Sequence, residues 1–215
     1  MVRGRGCYAL FLFLFAVAIL SMPVLAGADT VHMKFLSHGG TQKDPVYPWN
    51  FDVNGAPMTL MCDSFSNHVV TGETWKANVT NILSGQGLFG NKLLDYKAAA
   101  WLFSEVLFDG ANAHDANWAI WALFNPKAKK GIGWDANAEK LYKEALAIAG
   151  SLPKSFFTPY FLYTPIPGTQ SCKKCGLPQE FIGYTPVVPE PGTLTLLGTG
   201  ILILAGALRK KLARG

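Results

Sequence analysis

Strand-like segments up to residue 83, helical spacing over 93–149 and short extended pieces after it predict an α+β fold, an antiparallel sheet or partial barrel with about three clustered helices. Apolar runs at the two termini stand outside that domain. The 215 residues divide into a signal peptide over 1–28, an α+β domain over 29–184, a Pro-rich linker over 185–192, a transmembrane helix over 193–208 and a basic cytoplasmic tail over 209–215.

The leading segment has a basic start in Arg3 and Arg5, then an apolar run, then Ala26 and Ala28 in the A-x-A pattern of a signal-peptidase site. Cleavage after Ala28, or as second choice after Ala26, removes Cys7 with the signal. Strands follow. Residues 31–37 alternate in part, 57–65 form an apolar run ending in Cys62-Asp63-Ser64, and 73–83 alternate Trp75, Ala77, Val79 and Asn81 with polar partners. Asn54-Gly55 reads as a hairpin turn, because both central positions favour positive φ, while Pro57 points to an edge or an irregular strand start.

The helices come next. Over 93–108 Leu94, Ala98, Trp101, Leu102 and Val106 share a face, and Asp109-Gly110 supplies a stop. Residues 115–124 are apolar all round, which predicts a helix buried on every side, with His114-Asp115 at its start. Asp135 is an N-cap for a third helix to 149, ended by Gly150 and Pro153. Extended pieces at 156–163 and 180–184 complete the domain. Tyr47, Trp49, Tyr160 and Tyr163 lie in Pro-rich segments and are expected at the surface, covering the sheet edge or stacking on sugars of an extracellular polymer.

Half of the residues are apolar and 13% aromatic, with six Trp and fourteen Phe, enough bulk for a core and too much for a disordered chain. The net charge of +5 comes entirely from the ends. Residues 29–188 hold thirteen Lys, thirteen acids and no Arg, so a nucleic-acid footprint is missing and the bidentate fork that suits phosphate is unavailable.

At the C-terminus Val188-Pro189-Glu190-Pro191 precedes sixteen uncharged residues, 193–208, and then Arg209-Lys210-Lys211. At ~1.5 Å per residue that run makes roughly 24 Å of helix, a little short of a ~30 Å hydrocarbon core, so thinning or snorkelling completes the span. The basic cluster stays in the cytoplasm and leaves the domain outside, in agreement with the signal peptide. These three parts in order resemble the PEP-CTERM sorting signal of Gram-negative bacteria. The resemblance implies that a membrane-embedded exosortase-type protease recognises Pro189, Glu190 and Pro191 and removes the tail, making the helix a temporary anchor. The two prolines also hold Glu190 in extended backbone that no helix absorbs.

Met61-Cys62-Asp63, the segment 71–75 and Ala116-Asn117-Trp118-Ala119-Ile120-Trp121 resemble, over about 45–125, the thioester domain of bacterial surface adhesins. In that family a strand Cys joins a Gln that opens a Gln-x-Ala-Ile-Trp helix. Here Cys62 stands at the Cys position and Asn117 at the Gln position. Asn is one methylene shorter, so the resemblance implies the scaffold without the covalent bond, Cys62 lying buried beside a polar helix start.

Cys172-Lys173-Lys174-Cys175 has spacing that suits a disulfide, half of a zinc site or a redox pair. A second pair of zinc ligands is missing nearby, and Gly176-Leu177-Pro178 rather than a helix follows, so in an exported chain a loop-closing disulfide is expected. No cofactor or metal is expected. The sequence thus reads as an exported surface or extracellular-matrix protein, structural or adhesive and non-catalytic, whose partners are signal peptidase, an exosortase-type protease, the membrane, and a polysaccharide or cell-surface ligand. The alternatives are a secreted hydrolase using Cys62 as nucleophile and a Cys-x-x-Cys redox protein.

Overall fold

The computed structural model describes residues 29–186 and 199–200. Ala26, Ala28, the Pro189-Glu190-Pro191 motif and nearly all of the transmembrane segment expected at 193–208 lie outside the described residues. Among the described residues no helix is long and apolar enough to cross a membrane.

Six strands close into an antiparallel barrel: β1 (Asp29–Gly40), β2 (Pro45–Val53), β3 (Ala56–Cys62), β4 (Thr74–Asn81), β7 (Tyr160–Pro165) and β8 (Phe181–Tyr184), in the order β1-β2-β3-β8-β7-β4. Two short strands, β5 (Gln86–Gly87) and β6 (Gly90–Asn91), form a separate hairpin. Among the described residues, the helices of the domain are α1 (Leu93–Phe108), α2 (Ala113–Phe124), α3 (Ala136–Ile148) and the single turn α4 (Lys154–Phe157). The sheet is therefore fully closed. Closure depends on β4 pairing with both β1 and the distant β7, a long-range choice that local alternation does not encode.

Two apolar layers hold the fold. The barrel interior takes Met33, Phe35, Phe51, Trp75 and Phe181, contributed by alternate residues of their strands. The opposite faces of β3, β7 and β8 lie under the helices, where Met61, Leu162 and Ile182 meet Tyr96, Phe103 and Ile120. The end of β3, Leu60-Met61-Cys62, is covered on both faces, which is why this stretch reads as an apolar run rather than an alternating one. α2 belongs to both layers, with Trp118, Trp121 and Ala122 in the barrel core and Ala119, Ile120 and Leu123 in the helix layer, as its all-round apolar sequence predicts.

Several local expectations need correction. The alternation of β1 breaks because its register to β2 shifts between Phe35 and Ser37 and again between His38 and Gly39. Helix α2 begins two residues before Asp115, since the Asn112 side chain accepts from the backbone N–H groups of His114 and Asp115. Residues 156–163 divide between α4 and β7. Trp49, Tyr160 and Tyr163 are buried and Tyr47 is half-buried, so these aromatics build the core and are not a surface platform for sugars. On α1 the buried face runs through Tyr96, Ala99 and Phe103, and Leu94 is exposed. The Asn54-Gly55 turn forms as read, with φ of 52° and 86°. Asp135 caps α3 through the N–H groups of Asn137 and Ala138.

Candidate functional site

Helix α2 enters the end of the barrel where β3 stops, and this junction gathers the polar groups of the interior. Asn117 is fully buried there. Its Nδ2 donates to the Cys62 carbonyl at 2.9 Å, and its Oδ1 accepts from the Tyr47 backbone N–H at 2.9 Å and from Trp49 Nε1 at 3.2 Å. Cys62 and Asn117 are thus brought together, as the sequence suggests, but through the backbone of Cys62 and not its sulfur. Cys62 is a free thiol. Its Sγ accepts from Trp121 Nε1 at 3.4 Å and donates to the Ser64 carbonyl at 3.6 Å. Burial pushes the thiol far above its ordinary pKa, which keeps it protonated and poorly nucleophilic.

Beside Cys62 lie two buried acids, Asp63, which the sequence places next to it, and Glu180, which no sequence signal connects to it. Glu180 accepts from the Leu88 N–H at 2.7 Å, from Tyr96 Oη at 2.8 Å and from Thr164 Oγ1. Ser64 Oγ accepts from the Glu180 N–H at 3.0 Å, and Gln179 Nε2 donates to the Ser64 carbonyl at 2.8 Å. Asp63 Oδ2 is buried without a donor, and the group facing it is the Glu180 carboxylate. Burial first, then the charge of Glu180, raises the Asp63 pKa well above the carboxylate range, which favours the protonated form of Asp63 beside Glu180. Burial raises Glu180 too, against the hydrogen bonds from Thr164, Leu88 and Tyr96. The available signal was positional: Asp63-Ser64 and Gln179-Glu180 are polar pairs abutting apolar strands.

Outside this network a hollow of about 420 Å³ is lined by Lys43, Asp44, Phe65, His68, Trp118 and Trp121. Gly133 seats Trp118, since a Cβ at that residue would fall 2.0 Å from the indole nitrogen. Asp44 accepts from Trp118 Nε1 at 3.0 Å and lies 2.7 Å from His114 Nε2, while His114 Nδ1 is 3.1 Å from Asp115. Burial lowers the His114 pKa, but the hydrogen bonds to Asp115 and Asp44 outweigh it and the net shift is upward. A raised folded-state pKa gives stability that is fully present below the unfolded value of about 6.5 and is lost as pH rises through the folded one. Melting temperatures followed above about pH 6.5 should therefore fall in the parent protein, and His114→Gln should flatten this part of the profile. A profile identical in the variant would remove the doubly hydrogen-bonded imidazolium from the account.

Cys172 and Cys175 form the expected disulfide, in the loop between β7 and β8. Among the described residues, the group with metal-ligand spacing is this pair with Glu73, a residue that the sequence reading did not connect to it.

No curated protein and no solved structure matches the chain, so the resemblance of its body to thioester adhesins gains no support from known proteins. Residues 187–211 match the family described as the PEP-CTERM protein-sorting motif, so the chain carries a PEP-CTERM sorting signal, which supports export, transient anchoring in the membrane and sorting by exosortase.

Proposed function

We propose that the barrel domain is a non-catalytic structural or adhesive component, delivered by exosortase processing to the cell surface or extracellular matrix. The observation that carries this reading is the sorting motif at 187–211, placed directly behind a single folded domain. Signal peptidase acts at Ala26 or Ala28 and exosortase at Pro189-Glu190-Pro191, while the apolar stretch 193–208 and the bases after it hold the chain in the inner membrane between the two cuts. The state of Cys62 supports the non-catalytic part: a sealed, protonated thiol bonded to Trp121 and the Ser64 carbonyl is poorly placed to attack a substrate. The interior acids Asp63 and Glu180 face each other and the barrel wall rather than solvent, which suits a scaffold.

Glu190→Ala should leave the protein in the membrane fraction at its unprocessed C-terminal mass. Cys62→Ser should leave export, processing and binding to cells or polysaccharide unchanged. Normal release of the Glu190 variant would sink the sorting assignment, and a hydrolytic activity lost in the Cys62 variant would replace the structural role with an enzymatic one.

A further inference from the structure

Glu73 sits one residue before β4, is only 3% exposed, and takes part in none of the ion pairs among the described residues. One carboxylate oxygen, Oε2, accepts from the Val70 N–H at 3.1 Å. The other, Oε1, is buried with no partner. A buried carboxylate without a cation is costly, and proteins usually resolve it by pairing the charge or by coordinating a metal.

What lies against Glu73 is the Cys172–Cys175 loop. The carboxylate oxygen and the two sulfurs fall within 4.8 Å of one another. A tetrahedral zinc centre, with Zn–S near 2.3 Å, places its two sulfurs about 3.8 Å apart, so once the Sγ–Sγ bond is broken and the sulfurs part, all three atoms can surround one cation. The loop is held in place independently of its sulfurs. Ser171 N–H donates to the Thr74 carbonyl at 2.8 Å, Ser171 Oγ accepts from the Thr74 N–H at 3.0 Å, and Gln170 Nε2 donates to the Gly176 carbonyl at 3.0 Å. Gln170 Oε1, in the same loop, is a second buried oxygen without a partner.

We infer that Glu73, Cys172 and Cys175 form a redox-gated site for a thiophilic divalent cation of the zinc type, closed while the disulfide stands and opened by its reduction. The electron balance is simple. A small dithiol gives two electrons and two protons to the Sγ–Sγ bond, leaving two thiols and its own disulfide, and the cation then displaces the two thiol protons to bind two thiolates and the Glu73 carboxylate. Three anionic ligands leave a fourth position for water or for a neighbouring oxygen. Cys-x-x-Cys alone is half a site, and the fold supplies the missing anion from a residue about a hundred positions earlier in the chain.

The test uses the full chain in detergent, reduced with a phosphine that is then removed, and titrated with Co²⁺ as spectroscopic probe. The expected result is one equivalent bound, with a thiolate-to-cobalt charge-transfer band that is absent from the oxidised protein and from Cys172→Ser. Glu73→Gln keeps the shape and the acceptor for Val70, so it should fold and form the disulfide, yet bind Co²⁺ at least tenfold more weakly. Zn²⁺ should raise the melting temperature of the reduced parent and not that of the reduced Gln variant. No charge-transfer band at any ratio, equal binding by the oxidised protein, or unchanged affinity in Glu73→Gln would each overturn the assignment.

Discussion

Asn117→Ala is expected to destabilise the domain by about 4 kcal/mol, because it orphans three polar groups at once, two of them buried and one part-buried, each buried one costing about 1–3 kcal/mol. The backbone N–H of Tyr47 and the indole N–H of Trp49 lose their acceptor, and the Cys62 carbonyl loses its donor. Those three groups belong to two different strands, β2 and β3, and Asn117 belongs to α2, so the amide is what registers the helix against the barrel end. Water cannot replace it readily, since Asn117, Cys62 and Trp49 are at most 2% exposed. Denaturant unfolding at fixed pH gives the number directly. A loss under about 1 kcal/mol would mean that the three groups find other partners and that the junction is not organised by this side chain.

The second large effect concerns the acid pair. Asp63 has a folded-state pKa raised by burial and by Glu180, above an unfolded value of about 3.9. Between the two values the folded state holds a proton that the unfolded chain has released, so stability falls as pH rises, at about 1.4 kcal/mol per pH unit where the difference is one proton. Asp63→Asn is the neutral counterpart of the protonated acid and can still donate to Glu180. The variant should match the parent near pH 4, exceed it increasingly at higher pH, and lose most of the slope. Glu180 keeps a slope of the same sign, because its own pKa is raised by burial. Unfolding free energies at several pH values decide the matter, and a variant less stable than the parent at neutral pH would show that Asp63 is charged in the folded state.

How legible was this protein in its sequence? Local signals were written plainly. The Asn54-Gly55 turn, the Asp135 cap and the all-round apolar run at 115–124 each report a requirement of their immediate neighbourhood, and each is met in the fold. Barrel closure was not legible, because it is fixed by pairs such as Val79 with Tyr163, whose separation in the chain leaves no local trace. Trp49, Tyr160 and Tyr163 were misplaced for a related reason: the flanking prolines suggest surface loops, whereas tertiary packing carries these strands into the core.

The site divides in the same way. Cys62 and Asn117 were named from a motif and do meet, yet the motif says nothing of the hydrogen bonds that turn the amide toward a carbonyl rather than a sulfur. Glu180 and Glu73 were missed because a buried acid looks like a solvated one until its partners, Asp63 in one case and the Cys172–Cys175 loop in the other, are placed beside it. The sorting motif was the reverse case. It is a short continuous stretch of sequence, so its information is local, and residues 187–211 could be read without the fold.

The most direct measurement of the central claim is the intact mass of the protein recovered from envelope and medium, under non-reducing conditions. The account predicts a released species that begins at Asp29, ends near Pro189-Glu190-Pro191, lacks the two hydrogens of the Cys172–Cys175 disulfide and shows no loss of ammonia from a Cys62–Asn117 bond. A released or membrane-bound species that keeps its C-terminus through Gly215 would contradict exosortase sorting and make the protein a permanently anchored one.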